Sequence, residues 1–351
     1  MYMKKLILLI VALVTIACMI LPVSAMDFTA PEAPADVQKY IPEDTENFAD
    51  GLWYVIKTTI ASARPDLIEA AIACLTIIAT ALLLSFVSQV SKMNDRIICL
   101  LAAVSIGLIM LNSAKSFINI GVDTIEQVSG YGKLLLPALT AAAAANGTAT
   151  AAAALYTGTF IFTAILTTLI SKCIVPLIYI FIALCVADCA IDNDVFKELK
   201  KFIKWLTTWS IKTVLYIFTG YMGITGAVSG SVDAATLKAA KLTISGAVPV
   251  VGSILSDASE SIIVSAGIMK NAAGIYGLLA TIAICLGPFL KITLQYWLLK
   301  LTCAICSIFS QKKVHGLLDE MSSTMGLILA MTGAVCLLLL ISIVCFIRSS
   351  V

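Results

Sequence analysis

Long apolar stretches alternate with short polar segments over most of this 351-residue chain. A helix of about 20 apolar residues crosses the ~30 Å hydrocarbon core of a bilayer. The candidate stretches are 67–90, 97–120, 134–155, 159–190, 211–228, 273–299 and 324–347. A loop containing Asp123 and Glu126 is predicted between the second and the third. The pattern predicts an all-α, polytopic membrane helix bundle of about six to eight spans over residues 67–351.

The distribution of basic residues predicts on which side of the membrane each loop lies. Short loops rich in Lys and Arg stay in the cytoplasm. Such loops occur at 92–96, 195–204 and 311–320, and Lys291 and Lys300 are assigned to the same side. The acidic segment 26–66, the segment 231–271 and the C-terminus are predicted to be extracytoplasmic.

Residues 133–191 do not fit simple alternation between the two sides. The preceding loop is predicted outside and the following one inside, so an odd number of crossings is needed, yet two apolar blocks are present. Pro137 and Asn146 interrupt the first block, and Lys172 and Pro176 interrupt the second. Broken or re-entrant helices are tolerated in a membrane only where protein or water covers their freed backbone groups. The sequence predicts such a helix here, within a tightly packed bundle or, alternatively, along a pathway.

Residues 1–25 have the pattern of a cleavable secretory signal peptide. Two lysines precede an apolar core, and Val23 and Ala25 are acceptable to a signal peptidase. An uncleaved first membrane helix is the alternative. In either case residues 26–66 form an extracytoplasmic acidic tail. The tail is predicted to end in a short amphipathic helix with Trp53 and Tyr54 at headgroup level.

The segment 195–210 predicts an amphipathic helix that carries a basic cluster. Its apolar residues, among them Phe202, Ile203 and Trp209, are expected to share one face. The basic cluster consists of Lys197, Lys200, Lys201 and Lys204. A helix of this kind lies on cytoplasmic headgroups or docks a partner. The four lysines are therefore a candidate lipid or partner surface.

The segment 231–271 is predicted to be amphipathic or re-entrant, because it carries charges at intervals that no simple span accepts. Its second half places polar side chains at three- and four-residue steps, on one helical face. Charges near the bilayer centre are costly, so this face should meet water or protein. The candidate pathway or subunit contact consists of Pro249, Gly252, Ser253, Ser256, Asp257 and Glu260. An interfacial hairpin on the outer surface is the alternative.

Composition and motifs narrow the function. Hydrophobic residues make up 60% of the chain and the mean hydropathy is +1.02, which excludes an ordinary soluble domain. The net charge of +2, without a basic aromatic patch, does not indicate nucleic-acid binding. Cys303 and Cys306 form a lone CxxC, and the single histidine, His315, is placed in a solvated loop at the cytoplasmic rim. The sequence predicts no enzyme, metal site or cofactor.

Several short blocks resemble a known family. They are FADGL at 48–52, YGKLLLPAL at 131–139, TLKAAK at 236–241, PVVGSILSD at 249–257 and KNAAG at 270–274. By their order and spacing, the chain from about residue 48 onward resembles the stage III sporulation protein AE family. The resemblance implies a membrane component of a sporulation channel complex, in the mother-cell membrane around the forespore and required for forespore development. It implies ring-forming membrane-complex subunits and a secretion-type ATPase as partners.

Two functions of different class are compatible with these observations. The chain is either a scaffold or gate of that multiprotein channel, or a stand-alone secondary transporter (a permease) for a small solute. Internal repeats and intramembrane charges in several spans would indicate the transporter. The two halves show no convincing repeat and the spans carry few such charges, so the channel component is the preferred hypothesis.

Overall fold

The computed structural model describes residues 31–42, 48–91, 95–144, 149–191, 193–226, 272–310 and 312–349. Its helices are α1 (Ala35–Gln38), α2 (Phe48–Ser62), α3 (Arg64–Ser91), α4 (Asp95–Ala143), α5 (Ala149–Leu169), α6 (Val175–Ile191), α7 (Asp194–Gly226), α8 (Ala272–Cys306) and α9 (Lys312–Ser349). The predicted signal peptide and the segment 231–271 lie outside the described residues.

The predicted all-α membrane bundle is confirmed. Within the described residues, five stretches have the length and apolar composition needed to cross a bilayer. They lie in α3, in α4, in α5 together with α6, in α8 and in α9. The crossing predicted at 211–228 falls in α7, which is not one of the five, and it stays a prediction.

Helix α9 forms the axis of the bundle. It packs against α4, α5, α6, α7 and α8, and the whole of its most apolar stretch is buried. Helix α8 runs antiparallel beside it, because Lys300 and Cys303 near the end of α8 contact Asp319 and His315 near the start of α9. The other long helices are arranged around this pair.

Helix α4 is one continuous helix of 49 residues, so the predicted loop around residues 121–133 is wrong. The reason lies in the spacing of its buried positions. Ile118, Ile125 and Val128 continue the three- and four-residue rhythm of the first half of the helix, and all three are 1% exposed. Asp123 and Glu126 fall on the opposite, exposed face, where charges do not interrupt helix packing.

The interruption predicted between residues 133 and 191 is confirmed, and it has two parts. Helix α4 ends at Ala143 and α5 begins at Ala149. Between α5 and α6, Ile170–Ile174 forms a turn of π-helix that contains Lys172 and lies just before Pro176. A π-helical turn accommodates the break in the backbone hydrogen-bond pattern that a proline causes inside a long helix. The block 134–155 is therefore no separate span, because it contains the end of α4 and the start of α5.

Helices α2 and α3 run parallel to α8, with the tail 31–42 ahead of them. Ser85 donates a hydrogen bond of 2.9 Å to the carbonyl of Phe309, and Asp66 pairs with Lys291 at 3.0 Å. This ion pair corrects one topology prediction. Asp66 was placed outside and Lys291 in the cytoplasm, but two groups in contact lie at the same depth.

Candidate functional site

An open cleft of about 690 Å³ lies where α6, α7 and α9 meet, at the end of the bundle predicted to face the cytoplasm. Asn193 caps α7, because its side-chain oxygen accepts a 3.0 Å hydrogen bond from the amide of Val195. This tight turn places the first turns of α7 beside the last turns of α6. Five lysines and four acids line the cleft: Lys197, Lys200, Lys201, Lys312, Lys313, Asp188, Asp194, Glu198 and Glu320.

Lys200 lies at the back of the cleft and joins three helices. Its Nζ is 2.8 Å from Asp188 Oδ2 on α6 and 3.6 Å from Glu320 Oε1 on α9. Only 9% of the Lys200 side chain is exposed. The second oxygen of Asp188 is buried and accepts no hydrogen bond from the residues that the structure describes. One ammonium group thus compensates two carboxylates on neighbouring helices.

The charge of Lys200 is maintained by these partners. Burial by itself would lower the pKa of Lys200, because it disfavours the ammonium form. The hydrogen bond to Asp188 and the negative charge of Glu320 outweigh burial and leave the pKa raised. Because the pKa is higher in the folded state, the pairing stabilises the fold fully at pH values below the ordinary lysine pKa. This stabilisation is lost as the pH rises through the raised pKa.

The other three lysines of the cluster lie in more open positions. Lys197 pairs with Asp194 at 3.0 Å, and Lys201 pairs with Glu198 at 2.7 Å, in both cases along the same helix. Such exposed pairs contribute little to stability. Lys204 donates a 3.0 Å hydrogen bond to the hydroxyl of Ser323 on α9. These three fit a surface that meets lipid or a partner, which stays a prediction, whereas Lys200 is buried and does not belong to a surface.

The predicted single apolar face of 195–210 is also corrected. Ile203 is 6% exposed and packs inward on the same side as Lys200, but Phe202 and Trp209 are more than half exposed. Phe202, Trp205 and Trp209 form a continuous outward stack with ring centroids about 6 Å apart. The same side of α7 stays buried in the turns that follow, where Ile211 and Leu215 face inward.

The sequence offered one signal for the partners of Lys200. Asp188 is a lone acid inside an otherwise apolar stretch, and such a group requires a partner. Nothing in the sequence indicated that Glu320 would meet it. His315 lies within α9 and not in a loop, with Nδ1 3.3 Å from the Cys303 sulfur. Among the described residues, no cluster of three or more His, Cys, Asp or Glu could hold a metal ion.

The other predicted site residues cannot be placed in this geometry. Pro249, Gly252, Ser253, Ser256, Asp257 and Glu260 lie outside the described residues, and their role as a pathway or subunit contact stays a prediction.

Known proteins similar to this chain support the resemblance stated above. The family profile described as Stage III sporulation protein AE matches residues 48–350. The chain is 26% identical over 256 residues to stage III sporulation protein AE of Bacillus subtilis (strain 168). The aligned region covers 73% of this chain and 63% of that relative, which is less than two thirds of its length. No solved structure matches the chain. Because the profile covers most of the sequence, the protein belongs to the stage III sporulation protein AE family of sporulation-related membrane proteins.

Proposed function

We propose that this protein is an integral scaffold or gate of the channel complex between mother cell and forespore, and is required for forespore development. Membership of the sporulation family over residues 48–350 is the observation that carries the proposal. The proposed location is the mother-cell membrane around the forespore. The proposed partners are ring-forming subunits and a cytoplasmic secretion-type ATPase. The protein acts by assembly and not by catalysis.

The filled axis of the bundle supports a scaffold or a closed gate. Helix α9 occupies the centre of the described helices, and five other helices pack around it. A solute could pass along this axis only if α9 moved. A subunit built in this way is suited to hold neighbouring subunits, or to open when its helices are displaced.

The charged cleft is the proposed contact for a cytoplasmic partner. Lys197 and Lys201 stand at its open rim, with Lys312 and Lys313 at the start of α9 on the other side. Positive side chains on both walls would attract an acidic segment of a partner protein. Lys200 would fix the relative position of the walls through Asp188 and Glu320.

One observation favours the alternative of a stand-alone transporter. A second cavity, between α4, α5 and α9, has a volume of about 210 Å³ and is lined by Tyr156, Thr163 and Thr167 among others. Its lining is mostly apolar, with a few hydroxyl groups that could orient a small solute. Small-molecule sites usually measure about 300–1,000 Å³, so this cavity is small for a substrate site. The channel component remains the first hypothesis.

Purification of a tagged full-length chain from sporulating cells tests the proposal. In mild detergent the chain should elute in a large assembly with other membrane subunits and the ATPase. The double variant Lys197→Glu/Lys201→Glu should reach normal membrane levels but lose the cytoplasmic partner. Lys39→Glu, at an exposed position on the tail, is the matched control and should retain it. A chain that elutes alone from normally sporulating cells contradicts the proposal.

A pair of alanine variants separates the buried lysine from the surface lysines. Lys200→Ala leaves two carboxylates uncompensated in the bundle, and breaking a buried pair in this way costs about 3–5 kcal/mol. Lys201→Ala removes an exposed pair worth less than ~1 kcal/mol. We therefore expect Lys200→Ala to lower the unfolding temperature of the purified protein strongly, and Lys201→Ala to leave it almost unchanged. Equal effects would show that Lys200 is as solvated as its neighbour.

A further inference from the structure

Helix α4 buries the same face along its whole length, but its exposed face changes character at Lys115. Before this residue the exposed positions, apart from Asn112, are large and apolar. They are Ile97, Leu100, Leu101, Val104, Leu108 and Leu111, which are 42–66% exposed. From this residue to Lys133 every exposed position except Gly130 is polar, although Leu134, directly after, is apolar and exposed. Five of the polar positions form what we call the α4 polar strip: Lys115, Asn119, Asp123, Glu126 and Lys133. Their three-, four- and seven-residue steps place them on one side of the helix.

A change that affects only the exposed face reflects what surrounds the helix. The buried face continues without a break through Met110, Ala114 and Ile118, so the packing inside the bundle is the same above and below Lys115. Charged side chains on a lipid-facing surface are costly, and they are usually found where water or protein meets the helix. The α4 polar strip is therefore unsuited to contact with lipid.

The neighbouring helices change at about the same level. Cys189 lies beside Cys99 of α4 and Lys313 of α9. Cys303 of α8 lies beside His315 of α9. Counted along the helices from these contacts, Lys115 and Lys291 fall within about one turn of each other.

Helix α3 exposes large apolar residues from Leu67 to Val90, about 36 Å of helix at 1.5 Å per residue. Just before this surface, Asp66 pairs with Lys291 of α8. Among the described residues of α8, the exposed large hydrophobic side chains all follow Lys291: they are Trp297, Leu301 and Ile305.

The tail beyond this level is irregular and carries exposed charge. The hydroxyl of Tyr131 donates a 3.3 Å hydrogen bond to the carbonyl of Pro31, and the amide of Ala33 lies 3.4 Å from the hydroxyl of Tyr276. Glu32 on the same segment is exposed. Irregular backbone does not face lipid, because its polar groups would lack partners there. The level of Tyr131, inside the α4 polar strip, is thus unsuited to the hydrocarbon core.

We infer that the hydrocarbon core ends near the level of Asp66, Lys115 and Lys291, and that the remainder of α4 projects into water on the extracytoplasmic side. From Lys115 to Ala143 this projection measures about 43 Å at 1.5 Å per residue. Helix α5 returns beside it and exposes Phe160, Ile161 and Ile165. The projecting hairpin thus has a polar side on α4 and an apolar side on α5. This inference does not depend on the proposed function.

Cysteine labelling of the full-length chain, expressed in intact vegetative cells so that its extracytoplasmic side is open to the medium, tests the projection. In a cysteine-free background, single cysteines at Asn119 and Glu126 are compared with matched controls at Val104 and Leu108 on the lower half of the same face. A small membrane-impermeant maleimide and a polyethylene-glycol maleimide of about 5 kDa are applied from outside. The projection predicts at least tenfold more labelling by both reagents at Asn119 and Glu126 than at the two controls.

Each other result overturns the inference. Labelling by the small reagent alone would place the α4 polar strip along a narrow water-filled path within the membrane. Failure of both reagents would place it in lipid or in a protein contact. The wild-type chain supplies an independent measurement that needs no variant. A membrane-impermeant amine reagent applied from outside should modify Lys115 and Lys133, detected by mass spectrometry, but not the exposed Lys201 at the opposite end of the bundle. Protection of Lys115 and Lys133 would contradict the projection.

Discussion

Helices α3 and α9 are almost equally apolar but lie in opposite environments. Their most apolar stretches have mean hydropathies of 2.5 and 2.8, yet 17% of the first is buried and 100% of the second. Helix α9 touches five neighbours, whereas α3 packs mainly on α8 and α4. Hydropathy records that a side chain avoids water, but lipid and protein both satisfy that requirement. The same composition can therefore specify a lipid-facing helix or the axis of a bundle.

The largest expected difference between the two helices comes from truncating one leucine in each. Leu338 of α9 is fully buried, whereas Leu83 of α3 is 66% exposed. Leu338→Ala leaves a cavity among packed helices, for which a cost of about 2–5 kcal/mol is typical. Leu83→Ala leaves a space that lipid or detergent fills, with an expected effect within ~0.5 kcal/mol. Thermal unfolding in detergent measures both, and similar losses would mean that α3 is also enclosed by protein.

Hydrophobic pattern predicted the helices better than their ends. The apolar stretches and the interruption between residues 133 and 191 are evident in the sequence, because proline and a lone lysine break an otherwise uniform pattern. The loop at 121–133 was a wrong prediction. Two charged residues close together, Asp123 and Glu126, suggest a loop, but their spacing also fits the exposed face of a continuous helix. A helix longer than a bilayer is recognised when its exposed face changes from apolar to polar while its buried face stays apolar. The sequence alone does not show which face is buried.

The charged cleft could be predicted only in part. The lysine cluster is visible in the sequence, but the burial of Lys200 depends on Asp188 and Glu320, which lie on two other helices. The side on which Lys291 lies was inferred from charge alone, and its contact with Asp66 corrects the assignment. Pairings between distant helices are set by tertiary packing, which no local pattern contains.

A bulky residue at the contact between α4 and α9 gives the next largest effect. A Cβ atom on Gly121 would lie 2.8 Å from the Thr332 hydroxyl and 2.9 Å from the end of Met331. Gly121→Val should therefore force the Thr332 and Met331 side chains out of their packed positions between α4 and α9, at a cost of about 1–3 kcal/mol. Gly130→Val is the matched control, because it makes the same change in the same helix where a Cβ atom would meet no other helix within 4 Å among the described residues. The unfolding temperature should fall only for Gly121→Val, and equal values would mean that α9 is loosely held.

The smallest effect concerns a single hydrogen bond to α9. The hydroxyl of Thr159 on α5 lies 2.9 Å from that of Ser342, and both groups are buried. Ser342→Ala removes this contact, but Thr159 still donates to the carbonyl of Leu155 at 2.8 Å. Hydrogen bonds between membrane helices average about 0.6 kcal/mol, so a loss of that size is expected. Thr80→Ala is the control on α3, where the exposed hydroxyl bonds only within its own helix. A double variant Thr159→Ala/Ser342→Ala should be no less stable than the sum of the single variants predicts. If Ser342→Ala and Thr80→Ala unfold at the same temperature, the hydrogen bond between Thr159 and Ser342 does not stabilise the packing of α9.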